Sequence, residues 1–125
     1  MLDDLTMTTE IKECGCDISA FAPEDCGCYV KHTWINANGE YFAEVSAFYG
    51  EKTGLITNIR VAHEHREKGI GTEIIEKMVD VMKNVGTQST GYIEKVYASP
   101  SEKSKGIFER NSFVQETEAA WVKKL

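Results

Sequence analysis

The sequence predicts an α+β domain, an antiparallel meander of strands with two main helices. Two observations carry that prediction. Apolar and polar residues alternate over stretches between Cys28 and Val61, the two-residue period of half-buried strands, and from Ile70 the apolar positions switch to helical spacing. Between these regimes stands Arg66-Glu67-Lys68-Gly69-Ile70-Gly71, a glycine-bearing turn at a helix start.

The first strand sets Cys28, Val30, His32 and Trp34 against Tyr29, Lys31, Thr33 and Ile35. Asn36-Ala37-Asn38-Gly39 follows, and Asn-Gly is a strong hairpin-turn signal. The return strand is Tyr41 to Tyr49, which passes through Gly50 to Gly54 into a third strand, Leu55 to Val61. Strict alternation places Leu55, Thr57, Ile59 and Val61 on one face of it and Ile56, Asn58 and Arg60 on the other. The helix buries Ile70, Ile74, Met78, Met82 and Val85, presents Glu73, Glu76, Lys77, Asp80 and Lys83 to solvent, and is stopped by Gly86. Lys95-Val96-Tyr97-Ala98 reads as a short buried strand. Ser99-Pro100-Ser101-Glu102 then predicts a second helix start, with serine as N-cap, proline at the first helical position and a capping-box glutamate. Ser104, Ile107, Phe108 and Asn111 form its inward side.

A glycine-rich turn at a helix start is a natural anion site, because free N–H groups and the positive end of the helix dipole point at the ligand. Spacing separates the kinds of phosphate turn. The dinucleotide pattern G-x-G-x-x-G fails at Ile74, and the G-x-x-x-x-G-K-[ST] loop of nucleoside triphosphate enzymes is absent. What remains, R-x-x-G-x-G after a strand, resembles the acyl-CoA pyrophosphate loop of the GNAT N-acetyltransferase superfamily. Phe108-Glu109-Arg110-Asn111-Ser112-Phe113 resembles that family's Y-E-K-x-G-F segment, and the resemblance covers roughly residues 34–125.

The resemblance implies a GNAT-like central sheet, mixed and mostly antiparallel and flanked by the two main helices, in which the strands starting at Leu55 and Lys95 splay apart to admit pantetheine. It implies an acetyl-CoA-dependent N-acetyltransferase. Its cofactor-binding residues are Ile59, Arg60 and Val61 on the strand and Arg66, Glu67, Lys68, Gly69, Ile70, Gly71 and Thr72 in the loop. Glu44 is the candidate general base, with Thr57 placed to orient a water. Phe108 stands where the family often has a general-acid tyrosine and has no proton to give, so Tyr97 or Ser99, or solvent, inherits that task. Ser112 replaces the family's glycine at the helix end and requires another cap or a costly φ. The alternative reading is a catalytically weak acyl-CoA-binding or protein-interaction module.

At 125 residues with 42% hydrophobic content, the chain suits one domain, 1–125, whose first 29 residues form a cysteine-rich segment. Met1 to Glu10 lacks the features of a signal peptide and no run of about 18 apolar residues occurs, so a cytoplasmic location without membrane contact is expected. Residues 1–54 carry ten acidic and three basic side chains, and residues 55–125 carry ten and eleven. The overall charge of −6 argues against gripping a nucleic-acid backbone and suits a cationic acceptor, a primary amine on a polyamine, an aminoglycoside or a lysine-rich protein segment. Edge strands at both ends of the sheet leave room for a homodimer.

Cys14-Gly15-Cys16 and Cys26-Gly27-Cys28 form two C-x-C pairs. Their spacing suits four thiolates around a structural zinc, while free reduced thiols and disulfide or redox chemistry are the other readings. Zinc would pin Glu13 to Tyr29 as a compact loop in place of missing N-terminal helices.

Overall fold

The computed structural model of the chain describes residues 2–16, 18–19, 25–66, 69–86 and 93–125. Seven strands, β1 (Thr6–Gly15), β2 (Gly27–Ile35), β3 (Tyr41–Gly50), β4 (Thr53–Val61), β5 (Lys95–Ala98), β6 (Val114–Gln115) and β7 (Trp121–Lys124), form one sheet in the order β1-β2-β3-β4-β5-β7-β6. All pairs are antiparallel except β4 with β5, which run parallel. Among the described residues the α-helices are α1 (Ile70–Gly86) and α2 (Lys105–Arg110).

The expected meander is present. Asn36 organises its turn: the Asn36 carboxamide oxygen accepts the N–H groups of Asn38 at 2.9 Å and Glu40 at 3.0 Å, and Gly39 takes the positive φ of 79° that an L side chain resists. On one face of the sheet, Trp34, Ala43, Val45, Ala47 and Ile56 pack against Ile70, Ile74, Ile75, Met78 and Met82 of α1. Gly54 leaves room for Met82 at that contact, because a Cβ there would force the Met82 sulfur to shift.

Strict alternation fails in β4. Ser46 pairs with Asn58 but Ala47 pairs with Ile56, so Thr57 is the extra residue of a β-bulge. Below the bulge the faces exchange. Ile56, rather than Leu55, joins the α1 side with Ile59 and Val61, while Leu55 lies opposite Phe48 on the other face. Both Leu55 and Ile56 are buried, so composition alone does not reveal the flip.

The cysteines bind one another. Cys14 and Cys28 are cross-strand partners in the β1–β2 ladder and are joined by a disulfide, and a second disulfide joins Cys16 to Cys26. The zinc reading for Cys14, Cys16, Cys26 and Cys28 is therefore corrected: each sulfur is used by another sulfur, and no thiolate remains as a ligand. Among the described residues no group of three or more His, Cys, Asp or Glu side chains is placed to hold a metal ion. The disulfides hold the base of the β1–β2 connection. Asp25 fastens its far side, accepting the N–H groups of Glu51 (3.0 Å), Lys52 (3.2 Å) and Thr53 (2.9 Å) and the Thr53 hydroxyl (2.7 Å). Burial alone would raise the Asp25 carboxyl, but these hydrogen bonds outweigh it and hold the carboxyl below its ordinary value.

The second helix begins later than the Ser99-Pro100-Ser101-Glu102 pattern predicts. Ser101 O accepts the N–H groups of Ser104 and Lys105 in a preceding turn, and Glu102 turns forward to pair with Lys105 at 2.7 Å rather than back to cap a helix. At its other end Ser112 adopts φ 69°, the costly conformation that the replacement of glycine anticipates. Gly86 is the last residue of α1.

Candidate active site

The parallel pairing of β4 with β5 spans only Thr53–Ile56 against Lys95–Ala98. Beyond Ile56, β4 continues alone to Val61, and a cleft opens between it and the segment after β5. Ile56, Thr57, Asn58, Ile59, Ser99, Pro100, Ser101, Ser104 and Phe108 line its inner half. The outer half runs past Ile59 and Val61 to Arg66, Gly69, Ile70, Gly71 and Thr72, with Ile107, Phe108 and Arg110 on the α2 side.

The main chain of β4 faces this cleft in a definite phase. Ala62 N–H donates to Phe42 O at 2.8 Å on the β3 side. Because antiparallel strands alternate their hydrogen bonds, Arg60 and Asn58 also turn their peptide groups to β3, and those of Ile59 and Val61 face outward. Arg66 confirms the direction: its Nε donates to the outward Val61 carbonyl at 3.1 Å, which holds the guanidinium at the mouth of the cleft.

The mouth is the start of α1. Glu73 N–H donates to Gly69 O at 3.2 Å as the first helical bond, which leaves the N–H groups of Ile70, Gly71 and Thr72 without intrahelical acceptors. Gly69 has φ 78°, and a Cβ built on it would meet nothing within 4 Å, so the chain approaches open space there. Gly71 serves packing instead, since a Cβ on it would lie 3.1 Å from Ile107 of α2. Amides without intrahelical acceptors, a helix N-terminus and an anchored arginine suit a pyrophosphate. Glu67 and Lys68 lie outside the described residues.

The candidate catalytic residues are not gathered at one point. Thr57 lines the inner cleft and donates its hydroxyl to Ser46 O at 3.0 Å. Glu44 and Arg60 are cross-strand partners on the sheet face away from α1, and Glu44 is bound by Lys31 at 3.0 Å. The Tyr41 hydroxyl lies 3.5 Å from Glu44 and 3.4 Å from the Arg60 carbonyl. Burial and the Glu44 carboxylate push the Tyr41 phenol up, which keeps it a donor. Tyr97 stands opposite Leu55 within β5, and the cleft is lined by Ser99, two residues on, rather than by Tyr97. Sequence reasoning missed Ser101 and Ser104, whose hydroxyls lie 3.1 Å apart in the cleft wall; their place in a predicted helix start hid them. Phe108 is buried between the two halves of the cleft, with its ring edge-on to Phe113 at 5.1 Å. His65 stacks on Phe42 at 4.1 Å, a packing role.

A model of the family described as Acetyltransferase (GNAT) family matches residues 6–110. The chain belongs to the GNAT acetyltransferase family. Solved GNAT structures share its fold at low identity. Tetrahymena GCN5 superposes with a TM-score of 0.62 at 10% identity, over 77% of this chain and 68% of that one. A mutant AtaT toxin, bound to the C-terminus of the antitoxin AtaR and to acetyl-CoA, has a TM-score of 0.64 at 11% identity, over 95% and 93% of the two chains. Spermidine N-acetyltransferase from Vibrio cholerae, in complex with CoA and spermine, has a TM-score of 0.58 at 18% identity and is covered over 63% of its length by 77% of this chain. A comparison with curated protein sequences finds no match. At these identities the structural likeness speaks for the fold. No helix among the described residues is long and apolar enough to cross a membrane.

Proposed function

We propose that this GNAT domain is an acetyl-CoA-dependent N-acetyltransferase acting on a primary amine of a small cationic molecule or a protein in the cytoplasm. The observation that carries the reading is the cleft, which offers outward peptide groups on Ile59 and Val61 along one wall and the free amides of Ile70, Gly71 and Thr72 beside Arg66 at its mouth. These features match the two parts of a CoA molecule that need holding, an extended amide-bearing arm and a pyrophosphate. When bound, acetyl-CoA supplies a thioester whose carbonyl the amine attacks. The chain's tasks are to hold that carbonyl near the bulge at Thr57, to stabilise the oxyanion with main-chain N–H groups of the Ile59–Val61 stretch, and to relay the amine's proton. Glu44 takes the proton through water ordered by Thr57, and Ser99, Tyr97 or solvent returns one to the thiolate. The acidic first half of the chain supports a cationic acceptor. The neighbours solved in complex with spermine and bound to the C-terminus of an antitoxin supply one example each of an amine and a protein partner in this fold.

A second reading, an acyl-CoA-binding module with little turnover, is favoured by Phe108, which puts a ring with no proton to give where the family often has tyrosine. One experiment separates the two. Calorimetric titration with acetyl-CoA and CoA should give micromolar binding, weakened about tenfold or more in Arg66→Ala with the circular dichroism unchanged. Thiol release on adding spermidine or a lysine-rich peptide then identifies an enzyme. Binding without release identifies the module, and absence of binding removes both readings.

A further inference from the structure

We propose that two copies of this chain associate through β1, pairing antiparallel about a twofold axis at Thr9 so that their sheets become continuous. The two edges of the sheet are unequal. β6 has two residues, whereas β1 has ten, contains no proline, and is exposed at every position except its half-buried last one. A long exposed strand edge is a template for another strand.

The phase of its free edge follows from the ladder bonds. Asn58 and Arg60 turn their peptide groups to Ser46 and Glu44, so Ala43 and Val45 turn theirs to β2, and Lys31 and Thr33 turn theirs to Glu10 and Thr8 of β1. The peptide groups of Met7, Thr9 and Ile11 therefore point away from the sheet. After Ile11 a bulge at Lys12 breaks the phase, which confines regular pairing to the stretch up to Ile11. Only a register centred on Thr9 uses all three outward residues: Met7 faces the partner's Ile11, Thr9 faces the partner's Thr9, and Ile11 faces the partner's Met7. Six N–H···O bonds result.

The side chains agree with that register. Met7 and Ile11 are 40% and 66% exposed, and they are the two large apolar side chains that β1 leaves in solvent. Centred on Thr9, each covers the other across the axis, beside the buried Trp34 and Val30 that are their own partners on β2. On the opposite face Glu10 and Lys12 of one chain already neutralise each other at 3.0 Å, and they meet threonines of the second copy rather than like charges. The interface is small, so the dimer is a weak one with a dissociation constant on the order of micromolar.

Sedimentation of the full chain across a micromolar concentration series should show reversible dimerisation. Met7→Glu and Ile11→Lys should each make the chain monomeric, and the double variant should dimerise again, because each new carboxylate meets a new ammonium across the axis. Thr9→Cys should crosslink two copies under mild oxidation while Thr8→Cys does not. A chain that is monomeric throughout the series, or a dimer indifferent to both single substitutions, would overturn the proposal. All four positions are exposed, and circular dichroism of each variant checks that the fold persists.

Discussion

Under the proposed function, Phe108 limits the help that the departing thiolate receives from the protein. It lines both halves of the cleft with a ring that cannot give up a proton, and among the described residues no phenol lines that wall. Phe108→Tyr should raise the kcat for amine-dependent thiol release by about tenfold at unchanged acetyl-CoA affinity. That is short of the roughly 10²–10⁴ of a full general acid, because a thiolate already leaves well. A change in affinity alone, with kcat constant, would refute this role. At the scale of single residues the sequence was informative wherever backbone chemistry is local. Gly39 and Gly69 have the positive φ their turns demand, and Ser112 keeps the strained φ of the glycine it replaces. It was silent on the bulge at Thr57, because a bulge depends on what the neighbouring strand does and carries no residue signature here.

Among elements, the β1–β2 pair shows how exposed strands escape a sequence reading. β2 was legible because Val30, His32 and Trp34 alternate into the core. β1 was not, since nearly all of its residues face water on both sides of the sheet and no burial period marks it. Within this pair His32 is buried, with Nδ1 2.9 Å from the Thr9 hydroxyl and Nε2 2.6 Å from that of Tyr49. A neutral ring serves this pair of partners as one donor and one acceptor. Burial lowers the His32 pKa and pushes the Tyr49 phenol up, so both stay uncharged. The unfolded chain takes up the histidine proton near the ordinary 6.5, whereas the folded chain does so only at lower pH. Stability is therefore complete above that value and falls as pH drops through it. The urea midpoint should decrease between about pH 7.5 and about pH 5.5, and His32→Gln should flatten the dependence even if it lowers the midpoint overall. An equal slope in the variant would assign the effect to other groups.

For the molecule as a whole, the fold class, the order of meander, loop and helix, and the glycine turn at the start of α1 were all legible, because each rests on periodicity or glycine placement. The bond state of the cysteines was not. C-x-C spacing is compatible with metal, thiols or disulfides, and only the ladder partnership of Cys14 with Cys28 selects among them. Disulfides persist in oxidising surroundings and are rare in a reducing cytoplasm, so the stability of the reduced chain bears directly on the proposed location. The Cys16–Cys26 loop is nested inside the loop closed by Cys14–Cys28, and the two contributions overlap. Reducing both should cost about 3 kcal/mol or more, and Cys16→Ser with Cys26→Ser only about 1 kcal/mol. Thermal unfolding with and without reductant measures the difference. Full additivity would show that the loops constrain the unfolded chain independently.

The half-open edge of β4 has a further consequence. The peptide groups of Ile59 and Val61 face outward, while their side chains are committed to the α1 side of the sheet. Under the proposed function a ligand's arm is therefore read by the spacing of its amides, in the manner of an incoming strand. Such a site is insulated from much of mutation. Valine, isoleucine or leucine at either position keeps the same hydrogen-bonding groups in place, and drift in side-chain identity can proceed there without loss of the ligand, provided the rungs to β3 continue to hold the strand straight.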